Sequence, residues 1–157
     1  MSDDLPDHLG VQAARLQGMV HRIHGLAVAR DRLNVEWRRV LDVSSSEMTL
    51  LCALWAHGTM TISQAREHTG ISGPAMTSLT DNLVARGLIE RVHDEHDRRR
   101  VLLSASTVAH DHYTALASPI AGRLSEASTS YSDEHLAQIE EYLALAQAAY
   151  NAAASLR

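Results

Sequence analysis

The chain has 157 residues, of which 45% are hydrophobic, and it contains no Phe. This length fits one ordinary domain, or one compact module carried on additional helices, and argues against two independent domains. The formal net charge of −5 at first disfavours a nucleic-acid partner, because affinity for DNA comes largely from cations that neutralise phosphates. The charge is uneven, however. The acidic excess lies near the start and after position 125, and the densest basic cluster is the run Arg98, Arg99 and Arg100, so a local DNA-binding patch stays compatible with the composition.

Cysteine usage and hydropathy indicate the compartment. Cys52 is the only cysteine, so no disulfide can form within the chain. The first residues lack the basic and apolar regions of a signal peptide, and no stretch approaches the roughly 18 consecutive apolar residues of a membrane span. We therefore expect a cytoplasmic, soluble protein.

The segment from about Asp7 to Leu41 predicts one long helix. Its apolar residues recur largely at steps of three and four, which draws a single stripe along the helix. Such a stripe is too long to be covered by a small module alone, so residues 1–40 are predicted to form an N-terminal dimerisation helix. The stripe consists of Leu16, Val20, Ile23, Leu26, Leu33, Trp37 and Val40.

Two capping boxes predict the next two helices. Ser44 is followed three residues later by Glu47, and Thr61 in the same way by Gln64; this spacing opens a helix because each side chain bonds the backbone N–H of the other residue. The first of these helices is predicted to end before Gly58. The second is short, from about residue 62 to residue 69.

A third pattern predicts the helix and the strands that follow. Ser72 offers an N-cap and Pro74 sits in the first turn, where its missing N–H is harmless. Met76, Leu79 and Leu83 keep the helical spacing and form the inner face. Residues 88–92 and 101–104 then predict two short strands of a hairpin, because the charged run between them is too polar to be buried.

The last part of the chain returns to helix. Ser106 can cap a helix that Pro119 is expected to kink, and a polar break is predicted at residues 128–132. The final helix has apolar residues in a strict 3-4-3-4 spacing, as expected where helices of two subunits pack. These residues are Leu136, Ile139, Leu143, Ala146 and Tyr150.

A short capped helix, a tight turn and a longer helix make a helix-turn-helix, and the charged hairpin after it is a wing. The specific segments are SGPAMTS at 72–78, NLVARGLIER at 82–91 and DRR at 97–99. With them the sequence resembles the MarR (multiple antibiotic resistance regulator) family over roughly residues 41–106. The resemblance implies a mainly α fold with a small β-hairpin wing, in which a winged helix-turn-helix module (41–106) lies between the N-terminal helix and C-terminal dimerisation helices (107–157).

The same resemblance implies a homodimeric transcriptional regulator that binds a pseudo-palindromic operator in double-stranded DNA. Its recognition helix would enter the major groove and its wing the minor groove, where Asp97 would orient Arg99 while Arg98 and Arg100 serve phosphates or the wing itself. The short side chains of the recognition helix imply close approach and little bidentate base reading, so we expect sequence preference to come largely from DNA shape. The predicted contacts on that helix are Ser72, Pro74, Ala75, Thr77, Ser78 and Asn82. The sequence departs from the family at Ala105-Ser106 and Ala109, where a Leu-Thr pair and a Gly usually close the wing.

The family also implies a small aromatic or phenolic effector that releases the protein from DNA, and so a repressor of neighbouring genes. The predicted lining of the effector pocket is His21, Trp37, Met48, Trp55 and Arg91. Thr49 stands where a urate-responsive subgroup needs an Asp, which disfavours urate.

The alternative is a metal- or redox-responsive regulator of the same fold. Cys52 is expected to be a half-buried, inert thiol unless a cation lowers its pKa. Three His pairs are close enough in sequence to suggest metal ligands, but each is poorly placed for one site; they are His21/His24, His93/His96 and His110/His112.

Two other functional classes compete with a regulator. The sequence has no nucleophile elbow, phosphate loop or zinc-hydrolase spacing, so we predict neither an enzyme nor a cofactor or metal site. A helical interaction protein that keeps this fold without binding DNA is the remaining interpretation, and absent or salt-insensitive DNA affinity would favour it.

Overall fold

The computed structural model describes residues 5–94, 97 and 100–154, with side chains from residue 10 onward. Within these residues the chain forms six helices and three short strands, which confirms the predicted fold class. In chain order they are α1 (Leu5–Leu41), α2 (Ser45–His57), β1 (Met60–Thr61), α3 (Ile62–Thr69), α4 (Gly73–Ala85), β2 (Ile89–His93), β3 (Val101–Ala105), α5 (Thr107–Ser128) and α6 (Asp133–Ala154).

The helix boundaries follow the predicted caps. Both capping boxes are present with their reciprocal hydrogen bonds, Ser44 with Glu47 and Thr61 with Gln64. Gly70 ends α3 in the left-handed conformation, at φ 69°, which glycine adopts without steric cost. One detail differs: Ser72 occupies the N-cap position of α4, but its hydroxyl makes no capping hydrogen bond.

The predicted hairpin exists and belongs to a slightly larger sheet. Strands β2 and β3 pair antiparallel from Ile89 opposite Ala105 to His93 opposite Val101. Strand β1 adds to the other edge of β3, which gives the order β1-β3-β2. The sequence analysis missed β1 because a strand of two residues is too short to show an alternating pattern.

The core lies where α2, α4 and the sheet meet. Leu51, Met76, Leu83 and Leu103 have no exposed surface, and Ile89 is 1% exposed. Among the described residues of helix α1, the buried ones are Trp37 and Leu41, near its end. Most of its apolar stripe is exposed: among its residues, Leu16 is 56%, Val20 41% and Leu26 65% exposed.

The described residues fall into two units, the first ending at Tyr113 and the second starting at Thr114. The second unit comprises the rest of α5 and all of α6. Helix α5 runs through Pro119 to Ser128, and the predicted polar break separates it from α6. On α6 the predicted seam is largely exposed, with Ile139 at 43% and Leu143 at 51%. The division into segments 1–40, 41–106 and 107–157 stays a prediction. Among the described helices, including the 37-residue α1, none combines the length and the apolar character that crossing a bilayer requires.

Candidate nucleic-acid interface

Helix α4, the predicted recognition helix, buries one face and exposes small side chains on the other. Met76, Thr80 and Leu83 are buried. Thr80 was missed by the sequence analysis; its hydroxyl is tolerated in the core because it donates to the carbonyl of Met76 at 2.7 Å. The outer face carries the predicted contacts at the start of the helix, all of them exposed. They are Ser72, Pro74, Ala75, Thr77 and Ser78.

Two of the three hydroxyls on this outer face, those of Thr77 and Ser78, are bonded within the helix. Thr77 Oγ1 donates to the carbonyl of Gly73 at 3.2 Å, and Ser78 Oγ donates to the carbonyl of Pro74 at 3.4 Å. Their oxygen lone pairs stay available to accept hydrogen bonds. In this arrangement both residues present acceptors to a ligand.

Asn82 differs from the other predicted contacts because its side chain is hydrogen-bonded to another helix of the protein. Its surface is exposed, but its Nδ2 donates to Glu47 Oε1 at 2.5 Å. Glu47 is itself only 6% exposed and also accepts from the backbone N–H of Ser44 at 2.7 Å. Arg86 stands nearby, with its Nη1 3.8 Å from Glu47 Oε1 and its Nη2 donating to the carbonyl of Leu41 at 2.9 Å. The Asn82 amide is therefore held by the α1–α2 junction.

The surroundings of Glu47 keep its carboxyl ionised. Desolvation by burial would raise the pKa of Glu47, but the hydrogen bonds from Ser44 and Asn82 and the charge of Arg86 together hold that pKa below its ordinary value. The sequence analysis assigned Glu47 only its capping role. Its partners on and after α4 are distant in sequence, Asn82 by 35 positions, and leave no local signal.

The tip of the wing is described in part. Asp97 and Arg100 are exposed, whereas Arg98 and Arg99 lie outside the described residues, so the proposed pairing of Asp97 with Arg99 stays a prediction. The base of the tip is closed by two backbone bonds, from Arg100 N–H to the Asp97 carbonyl (2.8 Å) and from Asp94 N–H to the Arg100 carbonyl (3.1 Å). These bonds place a cation, Arg100, at the exposed end of the hairpin.

Arg91 links the wing to the recognition helix. Its Nη2 donates to Asp81 Oδ1 of α4 at 2.5 Å, with both side chains partly exposed. This ion pair joins β2 to α4. The predicted place of Arg91 in the effector pocket stays a prediction.

The predicted effector residues come together only in part. The rings of Trp37 and Trp55 meet edge to face at 6.2 Å, and Tyr113 joins them, stacked on Trp55 at 4.8 Å. The Nε1 of Trp55 is buried and has no hydrogen-bond partner within the described part of the chain. Met48 is 2% exposed in the core, and His21 is exposed on α1. Tyr113 was not among the predicted effector residues.

Arg66 of α3 is a cation that the sequence analysis did not single out. A Cβ atom added at Gly73, the first residue of α4, would lie 3.6 Å from Arg66 Cζ. The guanidinium therefore sits beside the start of the recognition helix. Together with Ser63, Gly70 and Ser72 it lines an open cavity of about 430 Å³ at the helix-turn-helix turn.

The residues considered for metal or redox sensing do not assemble into a metal site. Among the described residues, no three His, Cys, Asp or Glu side chains are grouped so as to hold an ion; His96 lies outside this set. The rings of His57 and His68 stack at 4.2 Å. Burial raises the pKa of the Cys52 thiol, and the nearby Arg30 guanidinium only partly offsets this effect, so at neutral pH Cys52 is a thiol and not a reactive thiolate.

Known proteins are similar to this chain over the helix-turn-helix and wing described above. A family model described as "MarR family" matches residues 41–100. The chain is 40% identical over 68 residues to the uncharacterized HTH-type transcriptional regulator YfiV of Bacillus subtilis, covering 43% of this chain and 42% of that protein. It is 28% identical over 85 residues to the multiple antibiotic resistance protein MarR of Escherichia coli, covering 54% and 59%. The alignments thus span about half the length of the curated relatives.

A solved structure agrees over a larger part of the chain. A mutant of MepR from a multidrug-resistant S. aureus clinical isolate superimposes with a TM-score of 0.67, covering 84% of this chain and 96% of that one. Because the identity is 19%, this similarity supports the fold alone. Over the winged-helix module of residues 41–100, the chain thus matches the model of the MarR family and is similar to transcriptional regulators of the helix-turn-helix type.

Proposed function

We propose that this chain is a cytoplasmic DNA-binding transcriptional regulator, a homodimer that represses neighbouring genes until a small aromatic or phenolic effector releases it. The observation that carries the proposal is the exposed, small-residue face of α4 beside a hairpin with Arg100 at its tip. A helix enters the major groove closely only where its side chains are short, and a cationic wing suits the negative minor groove. The transcriptional regulators matched over the same module support the same function.

The DNA contacts follow from the chemistry of each surface. Thr77 and Ser78 offer acceptors, which suit the amino groups of adenine or cytosine, and Ala75 offers a methyl group for thymine. Arg99 of the wing is assigned to the minor groove, whereas Arg98 and Arg100 of the wing and Arg66 beside the start of α4 supply positive charge for phosphates. With few bidentate groups on α4, discrimination between operators relies on groove shape.

The homodimer is supported by the exposed apolar residues in each unit. The α1 stripe includes Leu16 and Leu26, each more than half exposed, and the α6 seam includes Leu143. Apolar surface of this extent is costly in water and is typical of subunit interfaces. A second copy with two-fold symmetry would present two recognition helices to a pseudo-palindromic operator.

The effector proposal rests on the aromatic cluster of Trp37, Trp55 and Tyr113. The buried Nε1 of Trp55 is a donor without an acceptor among the described residues, and a buried polar group normally has one. An aromatic molecule that carries a phenol or carboxylate oxygen fits this cluster. Its oxygen would accept the hydrogen bond from Trp55 Nε1, and its ring would stack on the neighbouring rings. The raised pKa of Cys52 and the lack of a grouped metal-ligand set among the described residues weigh against the redox and metal alternatives.

The test is DNA binding to the region upstream of the protein's own gene. Arg99→Ala is expected to weaken binding in a gel-shift assay, because one cation per subunit leaves the minor groove. Arg123→Ala is the matched control: it removes the same charge from an exposed position on α5 and is expected to leave the affinity unchanged. Unchanged affinity with Arg99→Ala would remove the proposed wing contact, and wild-type protein that binds no duplex would refute the function.

A further inference from the structure

The carboxylate of Glu47 joins three parts of the winged-helix module. It caps the start of α2 through the N–H of Ser44, it accepts the amide of Asn82 on α4, and it faces the guanidinium of Arg86 in the turn after α4. A carboxylate that is 6% exposed is stable only when such partners replace the water it has lost. Glu47, Asn82 and Arg86 form a node, and its bonds depend on one another.

The same node reaches the end of α1. Arg86 donates to the carbonyl of Leu41, the last residue of α1. The chain then turns at Asp42 with φ 53°, a left-handed conformation that Asp tolerates better than most residues. Only residues 42–44 thus separate α1 from α2. Asn82 and Arg86 tie the last turn of α4 to this junction.

We infer that Glu47 is a positioning residue for DNA recognition: with Asn82 and Arg86 it fixes the angle of α4 to the end of α1. This inference rests on the proposed function and deepens it. A displacement of α1 in the dimer would be passed to the recognition helix through two side chains of α4 and its adjoining turn. In this role Asn82 serves the geometry of the helix and does not contact a base.

The donor and the acceptor of the hydrogen bond between Glu47 and Asn82 can be exchanged by mutation. Glu47→Gln keeps an acceptor for the Ser44 N–H, because Gln also serves in a capping box. Its amide can still bond Asn82 once the Asn82 amide turns over to present its oxygen, but the charge beside Arg86 is lost. Asn82→Asp places a second carboxylate against Glu47 and breaks the bond. In the double variant the amide introduced at position 47 donates to the carboxylate introduced at position 82, which restores the bond.

The experiment measures operator affinity for wild type, both single variants and the double variant, with Glu36→Gln as the control. Glu36 is exposed, pairs with Arg39 and loses the same charge. Asn82→Asp is expected to bind about tenfold more weakly, and the double variant to recover to within about threefold of wild type. Glu47→Gln alone is expected to lose less than Asn82→Asp, and the control to be unchanged. Asn82→Asp within about twofold of wild type would overturn the inference. A loss with Asn82→Asp that the added Glu47→Gln does not reverse would also overturn it and make Asn82 a direct DNA contact.

Hydrogen exchange of the DNA-free protein separates this inference from the proposed function. Faster exchange of the backbone amides of residues 82–86 in Asn82→Asp, reversed in the double variant, supports the link to α1 even if the wild type binds no duplex. Equal exchange in all four proteins overturns it, whatever the DNA result.

Discussion

Ser106 closes the wing onto α5, and its replacement gives a sharp test of the local structure. Its side chain donates to the carbonyl of Gly87 at 2.7 Å and accepts from the N–H of Ala109 at 3.1 Å, while the residue is 4% exposed. Ser106→Ala removes the N-cap of α5, which costs about 1 kcal/mol, and deprives a part-buried carbonyl of its donor, which costs about 1 kcal/mol more. The expected loss in the free energy of unfolding is therefore about 2 kcal/mol.

The measurement is urea unfolding followed by far-ultraviolet circular dichroism, at one chain concentration because a dimer would make stability depend on it. Ser104→Ala is the matched control on the adjoining strand. Its hydroxyl makes a single weak bond, to the carbonyl of Ala105 at 3.3 Å, so a change below about 0.5 kcal/mol is expected. If Ser106→Ala is as stable as the control, the double role assigned to this hydroxyl is wrong.

Three further predictions concern charged and reactive groups. A double-mutant cycle on Asp81 and Arg91 should give a coupling of under about 1 kcal/mol in stability, because both side chains are partly exposed; a coupling above about 2 kcal/mol would contradict this. Because the folded state lowers the pKa of Glu47, its contribution to stability is present above the ordinary pKa of Glu and is lost as the pH falls from there through the lowered pKa of the folded state. Glu47→Gln should accordingly lose less stability than wild type as the pH is lowered from neutral through this range, and equal losses of stability in the two proteins would count against it. Cys52 should react with a disulfide reagent at mildly alkaline pH more slowly than a free thiol, because burial raises its pKa; equal rates would contradict the described burial.

Local signals predicted most of the helix boundaries. The boxes at Ser44 and Thr61 each place two hydrogen bonds within four residues, so the pattern carries its own physical cause. Ser106 was expected to cap α5 and does so. The hairpin strands were predicted to within one residue, because a charged run between two apolar segments leaves few other folds.

Contacts between distant residues could not be predicted in the same way. Tyr113 joins Trp37 and Trp55 although it lies on a different helix, and Asp81 pairs with an arginine that had been assigned to the effector pocket. Such pairings depend on how helices pack, and a period of three to four residues specifies only which face is buried. The family resemblance supplied the order of the elements and the wing residues, but not the partners that hold α4 in place.

The most direct test of the central claim is the salt dependence of duplex binding, measured by fluorescence anisotropy with upstream DNA. We expect the logarithm of the association constant to fall linearly with the logarithm of salt concentration, as it does when arginines displace counterions from phosphates. The slope should become shallower by about one for each wing arginine removed. Binding that does not respond to salt, or no binding to any duplex, would contradict a DNA-binding role for this winged-helix module.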